Sequence, residues 1–350
     1  MKIRLPVRKA ILSRQTYEAP AEGRHGKIRL DFNENTTGCG AAARKAIARL
    51  SAKEIATYPE YEAHTRELAR SFRVAPKELL LTNGGDDALR VFFDTFVEPE
   101  SHILICEPTF PMYRYYAEIA GAGVQTLRYG PNMEFPFADA LAALKKRPRV
   151  FFLVNPNNPT GTLVPKDDLT KLARAAMHTV VVVDEAYAEF SDATAVPWIR
   201  RYPHLFVART FSKAAGLAAL RLGAVIGRRD SLALVRRAMP PYPVNVAALV
   251  AAVAAIRERT SISHYVSATK RRRDWFSREL QKSGVRVFPS AANFLLADFG
   301  DAGPAFFRKL ARHNILVRER SKDLGHGYAR ITIGTQAEMD KFLRLLRQKD

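Results

Sequence analysis

The chain has 350 residues, 47% hydrophobic and 26% charged, enough apolar surface to build one large domain with a smaller one beside it, and this excludes a disordered chain. Its formal charge of +20 would suit acidic substrates or nucleic acid, yet lysines and arginines are spread along the chain with no long block beyond Lys270-Arg-Arg-Arg273, so solvated surface is the first reading. Cys39 and Cys106 match no disulfide or zinc spacing and no apolar run reaches the ~18 residues that span a bilayer, so the expectation is a metal-free protein of the reducing cytoplasm, off the membrane.

Residues 1–15 are basic but lack the apolar core of a secretory signal. In the polar loop Leu30-Asp-Phe-Asn-Glu-Asn-Thr-Thr-Gly38, Asn33, Glu34 and Asn35 either line a site or close turns, turns being the plainer reading. Residues 41–50 carry helical periodicity, and beyond them Pro59 holds Tyr58 extended on a connection. Leu79-Leu-Leu-Thr-Asn-Gly-Gly-Asp-Asp87 reads as strand end, glycine turn and a helix over 88–97 capped by Asp86 or Asp87. Gly84 and Gly85 there present free amides at the positive end of a helix, an anion site. A strand from 102 is broken by Pro108, which puts Phe110 and Tyr113 on the loop beyond, either in the core or stacked on a planar ligand. Strands over 124–129, 150–154 and 179–183 then alternate with helices over 138–146 and 166–177. Continuous apolar strands between amphipathic helices mean a parallel sheet covered on both faces.

Three strand ends carry the chemistry. The prolines of Asn155-Pro-Asn-Asn-Pro-Thr-Gly161 stop strand and helix alike and hold Asn158 in place. In Asp184-Glu-Ala-Tyr187 a valine run puts a carboxylate at the edge of a core, where ionisation needs a cationic partner such as a protonated pyridine nitrogen. Arg209-Thr-Phe-Ser-Lys213 follows the apolar run 205–208, so Thr210, Ser212 and Lys213 sit where open α/β sheets place their ligands. Small neutral neighbours and the cation of Arg221 should depress the Lys213 pKa and make its amine a nucleophile, as Schiff-base chemistry requires. A mostly helical stretch over 246–282, broken between 260 and 264, leads to a small α+β lobe with strands over 285–288, 294–297, 315–318 and 328–334 and helices over 304–314 and from 336. Arg330, among apolar neighbours, needs an acid or, failing one, a substrate anion. The domain expectation is an arm and part of the small domain over 1–40, a large cofactor-binding domain over 41–245, and a linking helix with the small C-terminal domain over 246–350.

Jointly these groups describe a planar phosphorylated cofactor. The amides of Gly85 and Asp86, the hydroxyls of Thr210 and Ser212, and Arg221 would hold the phosphate; Phe110 would stack on the ring; Asn158 and Tyr187 would bond a phenolic oxygen; Asp184 would keep the ring nitrogen protonated; Lys213 would carry the aldehyde. With these motifs the chain resembles the fold-type-I, aspartate-aminotransferase-like enzymes that use pyridoxal 5'-phosphate, and within them the histidinol-phosphate aminotransferase family. The resemblance runs from Tyr17 and Asn33-Glu-Asn35 to Arg330-Ile-Thr-Ile-Gly-Thr335. It implies an α/β large domain with a mostly parallel central sheet, plus a smaller α+β domain. It also implies a homodimer with shared sites, Tyr58 reaching the other subunit's cofactor phosphate and Tyr17 its substrate. Asn33 falls on the substrate side, and Arg318 and Arg330 bind the substrate anion, a phosphate in histidinol phosphate or a carboxylate in glutamate.

The implied reaction moves the amino group of histidinol phosphate to 2-oxoglutarate, a step of histidine biosynthesis, with Lys213, Asp184 and Tyr187 catalytic and Lys213 as base and then acid. The alternatives are an aromatic or other amino-acid aminotransferase and a decarboxylase of a phosphorylated amino acid. Outside the enzymes stands a basic nucleic-acid-binding protein, against which no recognition helix or stacking platform is visible. Four positions depart from the family pattern: Thr36 for proline, Phe110 for tyrosine, Ala215 for phenylalanine, which could open room near the substrate, and Ala219 for glycine.

Overall fold

The structure is a computed structural model that describes residues 5–12, 14, 16 and 22–348. The strands are β1 Ile28–Leu30, β2 Leu79–Thr82, β3 His102–Glu107, β4 Gly123–Arg128, β5 Val150–Val154, β6 Val180–Asp184, β7 Leu205–Thr210, β8 Gly223–Gly227, β9 Arg286–Val287, β10 Phe294–Asp298, β11 Ile315–Glu319 and β12 Tyr328–Thr332. They form two sheets. The larger has the order β2-β8-β7-β6-β5-β3-β4; its β3 to β7 run parallel, and only β8 pairs antiparallel, with β7 on one side and β2 on the other.

The central strands carry β-branched and aromatic side chains on both faces because both are covered. Phe152, Val182 and Phe206 pack with Phe92 and Phe93 of the helix Gly84–Phe96 on one side. Phe151, Val181, Val183 and Val207 point to the other, toward Leu169 and Leu172 of the helix Lys166–Ala175 and Leu249 of the helix Val246–Arg257. Each such side chain removed from water contributes roughly 1.5–3 kcal/mol. Register then sets the site. Val154, Asp184 and Ala208 are direct partners across β5, β6 and β7, so the segments that follow these strands leave the sheet at one level. Thr82, Gly223 and Thr210 are likewise level across β2, β8 and β7.

The smaller sheet has the order β1-β11-β12-β10-β9, with β1 from the N-terminal arm parallel to β11 and the rest antiparallel. Its core is built on Phe276, Leu280, Phe307 and Phe342. Among the described residues no helix is long and apolar enough to cross a membrane, and no group of three His, Cys, Asp or Glu side chains could hold a metal ion.

Three elements differ from the sequence expectation. The helix expected over 88–97 begins at Gly84, because the Asp87 carboxylate reaches back to the Asn83 amide at 2.9 Å and closes a turn that includes both glycines. Tyr113 is not on a loop: the chain re-enters a helix at Met112–Ala120, one residue past Pro111. The break in the linking stretch falls at Glu258, between Val246–Arg257 and Arg259–Lys282, where the Glu258 carboxylate accepts from the Ala42 amide at 3.3 Å and caps a different helix.

Candidate active site

The ends of β5, β6 and β7 open into a cavity of about 540 Å3 that is also lined by β11 and β12 of the small sheet. At one end lie the groups read as an anion site. Gly85 and Asp86 are in the first turn of a thirteen-residue helix, whose leading amides lack intrahelical partners. Thr210 Oγ1 donates to Ser212 Oγ at 2.9 Å and accepts from the Ser212 amide at 3.1 Å, which fixes both hydroxyls at the mouth of the Ser-Lys turn. Arg221 closes this end with a left-handed backbone (φ 54°) and a guanidinium lying against Gly84, and it pairs with Asp86 at 3.0 Å. Gly223 has to be glycine: a Cβ there would stand 2.4 Å from the Gly84 carbonyl oxygen.

In the middle are Lys213 and Asp184. Lys213 Nζ donates to the Phe32 carbonyl at 2.9 Å and lies 5.8 Å from the centre of the Tyr187 ring. Arg221, expected to act on this lysine as a second cation, directs its charge to Asp86 instead. Asp184 ends its strand with Oδ1 accepting from the Ala186 amide at 3.0 Å and Oδ2 from the Tyr113 hydroxyl at 2.5 Å. Burial pushes the Asp184 carboxyl above its ordinary range, and those two donors pull the other way. Burial together with the Asp184 charge holds the Tyr113 phenol well above its usual value, so Tyr113 stays protonated and is the donor. Phe110 lines the cavity, edge-on to the Tyr113 ring at 6.2 Å.

The far end is basic. Arg330 is buried; its guanidinium donates to Asn158 Oδ1 at 2.5 Å and to the Asp31 carbonyl, and has no acid partner among the described residues. Burial pushes it down to about 10, with the charges of Arg320 and Arg318 adding to the effect. Arg318, the partner of Arg330 across β11 and β12, lines the same wall. Arg24 stands beside them, held bidentately by Asp31 at 3.1 and 2.7 Å and bonded to Glu34 at 3.0 Å.

Of the residues singled out in the sequence, Gly85, Asp86, Phe110, Asn158, Asp184, Tyr187, Thr210, Ser212, Lys213, Arg221, Arg318 and Arg330 all border this one cavity. Asn33 does not. Its backbone is left-handed (φ 56°), it is fully buried, and its amide donates to Tyr187 Oη at 3.0 Å, so it reaches the site only through that tyrosine. Tyr58 is 77% exposed and stacks on Tyr242 at 4.3 Å, away from its own chain's cavity. Tyr17 lies outside the described residues. Ala215 opens no room near the substrate end: it borders a separate cavity of about 590 Å3 behind the Ser-Lys turn, walled by Phe72 and Phe211.

Five contributions lie outside what the sequence pattern shows. Tyr113 reads from the sequence as a loop residue, although its place one helical turn from Phe110 is a usable signal. Arg24 and Arg320 line the cavity but carry no motif. The turn that presents Asn158 is held by buried amides as well as by its prolines: Asn155 exchanges hydrogen bonds with the Val164 backbone at 2.7 and 3.1 Å, and Asn157 bonds Thr109 and the Pro108 carbonyl. Glu185, next to Asp184, is fully buried against Arg209 at 2.8 Å.

Residues 25–346 match the family described as aminotransferase class I and II. The chain is 34% identical to the histidinol-phosphate aminotransferase of Geobacillus sp. (strain WCH70), over 92% of this chain and 89% of that one. It is 34% identical to the protein of the same name from Symbiobacterium thermophilum, over 93% and 91%. In fold it is similar to the Sinorhizobium meliloti histidinol-phosphate aminotransferase solved with pyridoxal-5'-phosphate, with a TM-score of 0.90 at 24% identity over 99% of both chains. It is also similar to the L-threonine-O-3-phosphate decarboxylase of Porphyromonas gingivalis, with a TM-score of 0.79 at 24% identity over 91% and 98%.

Proposed function

From the premise that this chain belongs to the class I and II aminotransferases, pyridoxal-phosphate enzymes of fold type I, we propose that its amino donor is histidinol phosphate and its acceptor 2-oxoglutarate, a reaction of histidine biosynthesis. One observation carries the choice of donor: the cavity has two anion ends, and the guanidinia of Arg318 and Arg330, without an acid partner among the described residues, line it together with Lys213, apart from Gly85, Ser212 and Arg221. A donor with a charged tail and an amine between those ends fits that plan.

The donor set also fits the cofactor. Backbone amides, two hydroxyls and Arg221 suit a phosphate monoester, and a buried carboxylate suits a ring nitrogen that must stay protonated. Asn158 has its oxygen engaged by Arg330, which leaves its NH2 group, with the Tyr187 hydroxyl, for a ring oxygen. When bound, pyridoxal phosphate supplies an aldehyde that joins an amine and a ring that draws electrons from the adjacent carbon. Lys213 Nζ, released from the Phe32 carbonyl, takes the proton from the amine-bearing carbon of the donor and later delivers one, as general base and then general acid. Arg318 and Arg330 hold the tail so that this carbon faces the amine. Asp184, whose charged form is favoured by the donors Tyr113 and Ala186, borders the same cavity.

A second copy of the chain completes the site in the cytoplasmic enzyme. Tyr58, 77% exposed and stacked on Tyr242, and the exposed Ile55 three residues before it offer apolar surface that a partner would cover, and Tyr58 would then point at the partner's phosphate end. The deciding assay gives the pure protein histidinol phosphate, phenylalanine, aspartate and a phosphorylated amino acid in turn, each with 2-oxoglutarate. Glutamate should form fastest from histidinol phosphate; faster turnover of phenylalanine, or release of carbon dioxide, would replace this reading.

A further inference from the structure

The tail end of the cavity holds two guanidinia beyond the two that the motifs account for, Arg24 and Arg320. Arg320 lies just past β11, its amide donating to the Tyr328 carbonyl at 2.9 Å, and its side chain is largely buried in the same wall as Arg318 and Arg330. Asp323, one helical turn on, takes one of its terminal nitrogens. That leaves Nε of Arg320, like Nε of Arg330, buried with no hydrogen-bond partner among the described residues. A buried donor without an acceptor costs about 1–3 kcal/mol, so the chain leaves both guanidinia incompletely bonded in the wall of one cavity.

Charge says which acceptor. Arg24 is balanced by Asp31 and by Glu34, which it shares with Arg29, and Arg320 is balanced by Asp323. Arg318 and Arg330 have no acid partner among the described residues, so this wall carries two uncompensated positive charges. A carboxylate would neutralise one of them and offers two oxygens. A phosphate monoester carries close to two negative charges at neutral pH, with three oxygens for donors that approach from three sides.

We propose that Arg320 is a specificity residue of the donor site, the third arm of a guanidinium clamp that selects a doubly charged phosphomonoester tail over a singly charged carboxylate. This rests on the donor site assigned above and says which feature of the donor that site reads. Asp323 holds the arm in place, and Arg320 contributes a planar guanidinium where a lysine could supply only a point charge.

The test compares two donors on one preparation, which cancels differences in folded fraction. In Arg320→Gln, kcat/KM for histidinol phosphate should fall at least fivefold more than kcat/KM for glutamate, through KM, with Arg320→Lys in between. The second ionisation of a phosphomonoester lies near about 6, so the extra loss should shrink at pH 5.5, where the tail is mostly singly charged. Equal losses on the two donors, or an extra loss that does not change with pH, would make Arg320 a structural residue and overturn the proposal. If the unaltered enzyme does not turn over histidinol phosphate, the donor assignment fails, and inorganic phosphate decides about Arg320 in the same holoenzyme. Weaker competition against glutamate in Arg320→Gln supports the clamp; unchanged competition removes it.

Discussion

Replacing Tyr113 with phenylalanine takes a single oxygen from a ring that is fully buried, and leaves the ring's contacts with Phe152 at 5.2 Å and Phe110 at 6.2 Å. Asp184 Oδ2 then loses its 2.5 Å donor while Oδ1 keeps the Ala186 amide. A hydrogen bond to a charged group contributes about 1.5–3 kcal/mol, and here it favours the ionised carboxylate over the neutral acid. Burial already drives Asp184 toward the neutral form, so removing the hydroxyl moves it further the same way. A carboxyl whose pKa has risen is charged only at higher pH, and Asp184 has to be charged to keep a ring nitrogen protonated. The acid limb of kcat/KM should therefore move to higher pH, with a loss of roughly 30-fold on that side for about 2 kcal/mol and a smaller loss at alkaline pH. Profiles of both proteins from pH 5 to 9, with pyridoxal phosphate saturating, measure it. A thermal midpoint within a few degrees of the parent excludes unfolding as the cause. Superimposable acid limbs would refute the idea that Tyr113 holds the charge on Asp184.

Lys213→Ala should bind pyridoxal phosphate without the near-visible band of the lysine-linked cofactor and show no transamination; retained turnover in the purified variant would remove Lys213 from the chemistry. Gly223→Ala forces a Cβ to within 2.4 Å of the Gly84 carbonyl and must shift the start of the helix Gly84–Phe96. Its affinity for pyridoxal phosphate, followed by fluorescence titration, should fall tenfold or more, about 1.4 kcal/mol, and unchanged affinity would show that this end adapts. Asp31→Asn leaves the buried Arg24 guanidinium with only Glu34, a loss of about 3 kcal/mol in denaturant unfolding, at the low end for a broken buried pair because one acid remains. Burial pushes the Cys106 thiol up to about 12, so its thiolate is scarce at pH 8. A thiol reagent should leave Cys106 intact in the folded protein and modify it in urea; fast native labelling would contradict the packing of β3.

Local periodicity made the large sheet legible. The runs at 150–154, 179–183 and 205–208 are apolar throughout because both faces of β5, β6 and β7 are covered, and the groups that follow them, Asn158, Asp184 and Lys213, border one cavity. Errors came where a side chain reached beyond its own segment. Asp87 pulled a helix start back onto the glycine pair, and Glu258 left its helix to cap another at Ala42. Asn33 was open to either a turn or a site; it takes a left-handed backbone and also serves Tyr187 from behind, because Thr332 and Asn293 of the small sheet bind its backbone.

By itself the sequence determined the order of strands and helices, the residue types at each strand end, and hence the kind of ligand the sheet could hold, since all of these depend on neighbours in the chain. Only the tertiary structure decided which charges remain unbalanced. Arg24, Arg318, Arg320 and Arg330 look alike as letters; packing gives Asp31, Glu34 and Asp323 to two of them and leaves the other two facing the cavity. Electrostatic energy depends on distance and burial between residues far apart in the chain, such as Asp86 and Arg221, 135 positions apart, and no local pattern encodes it.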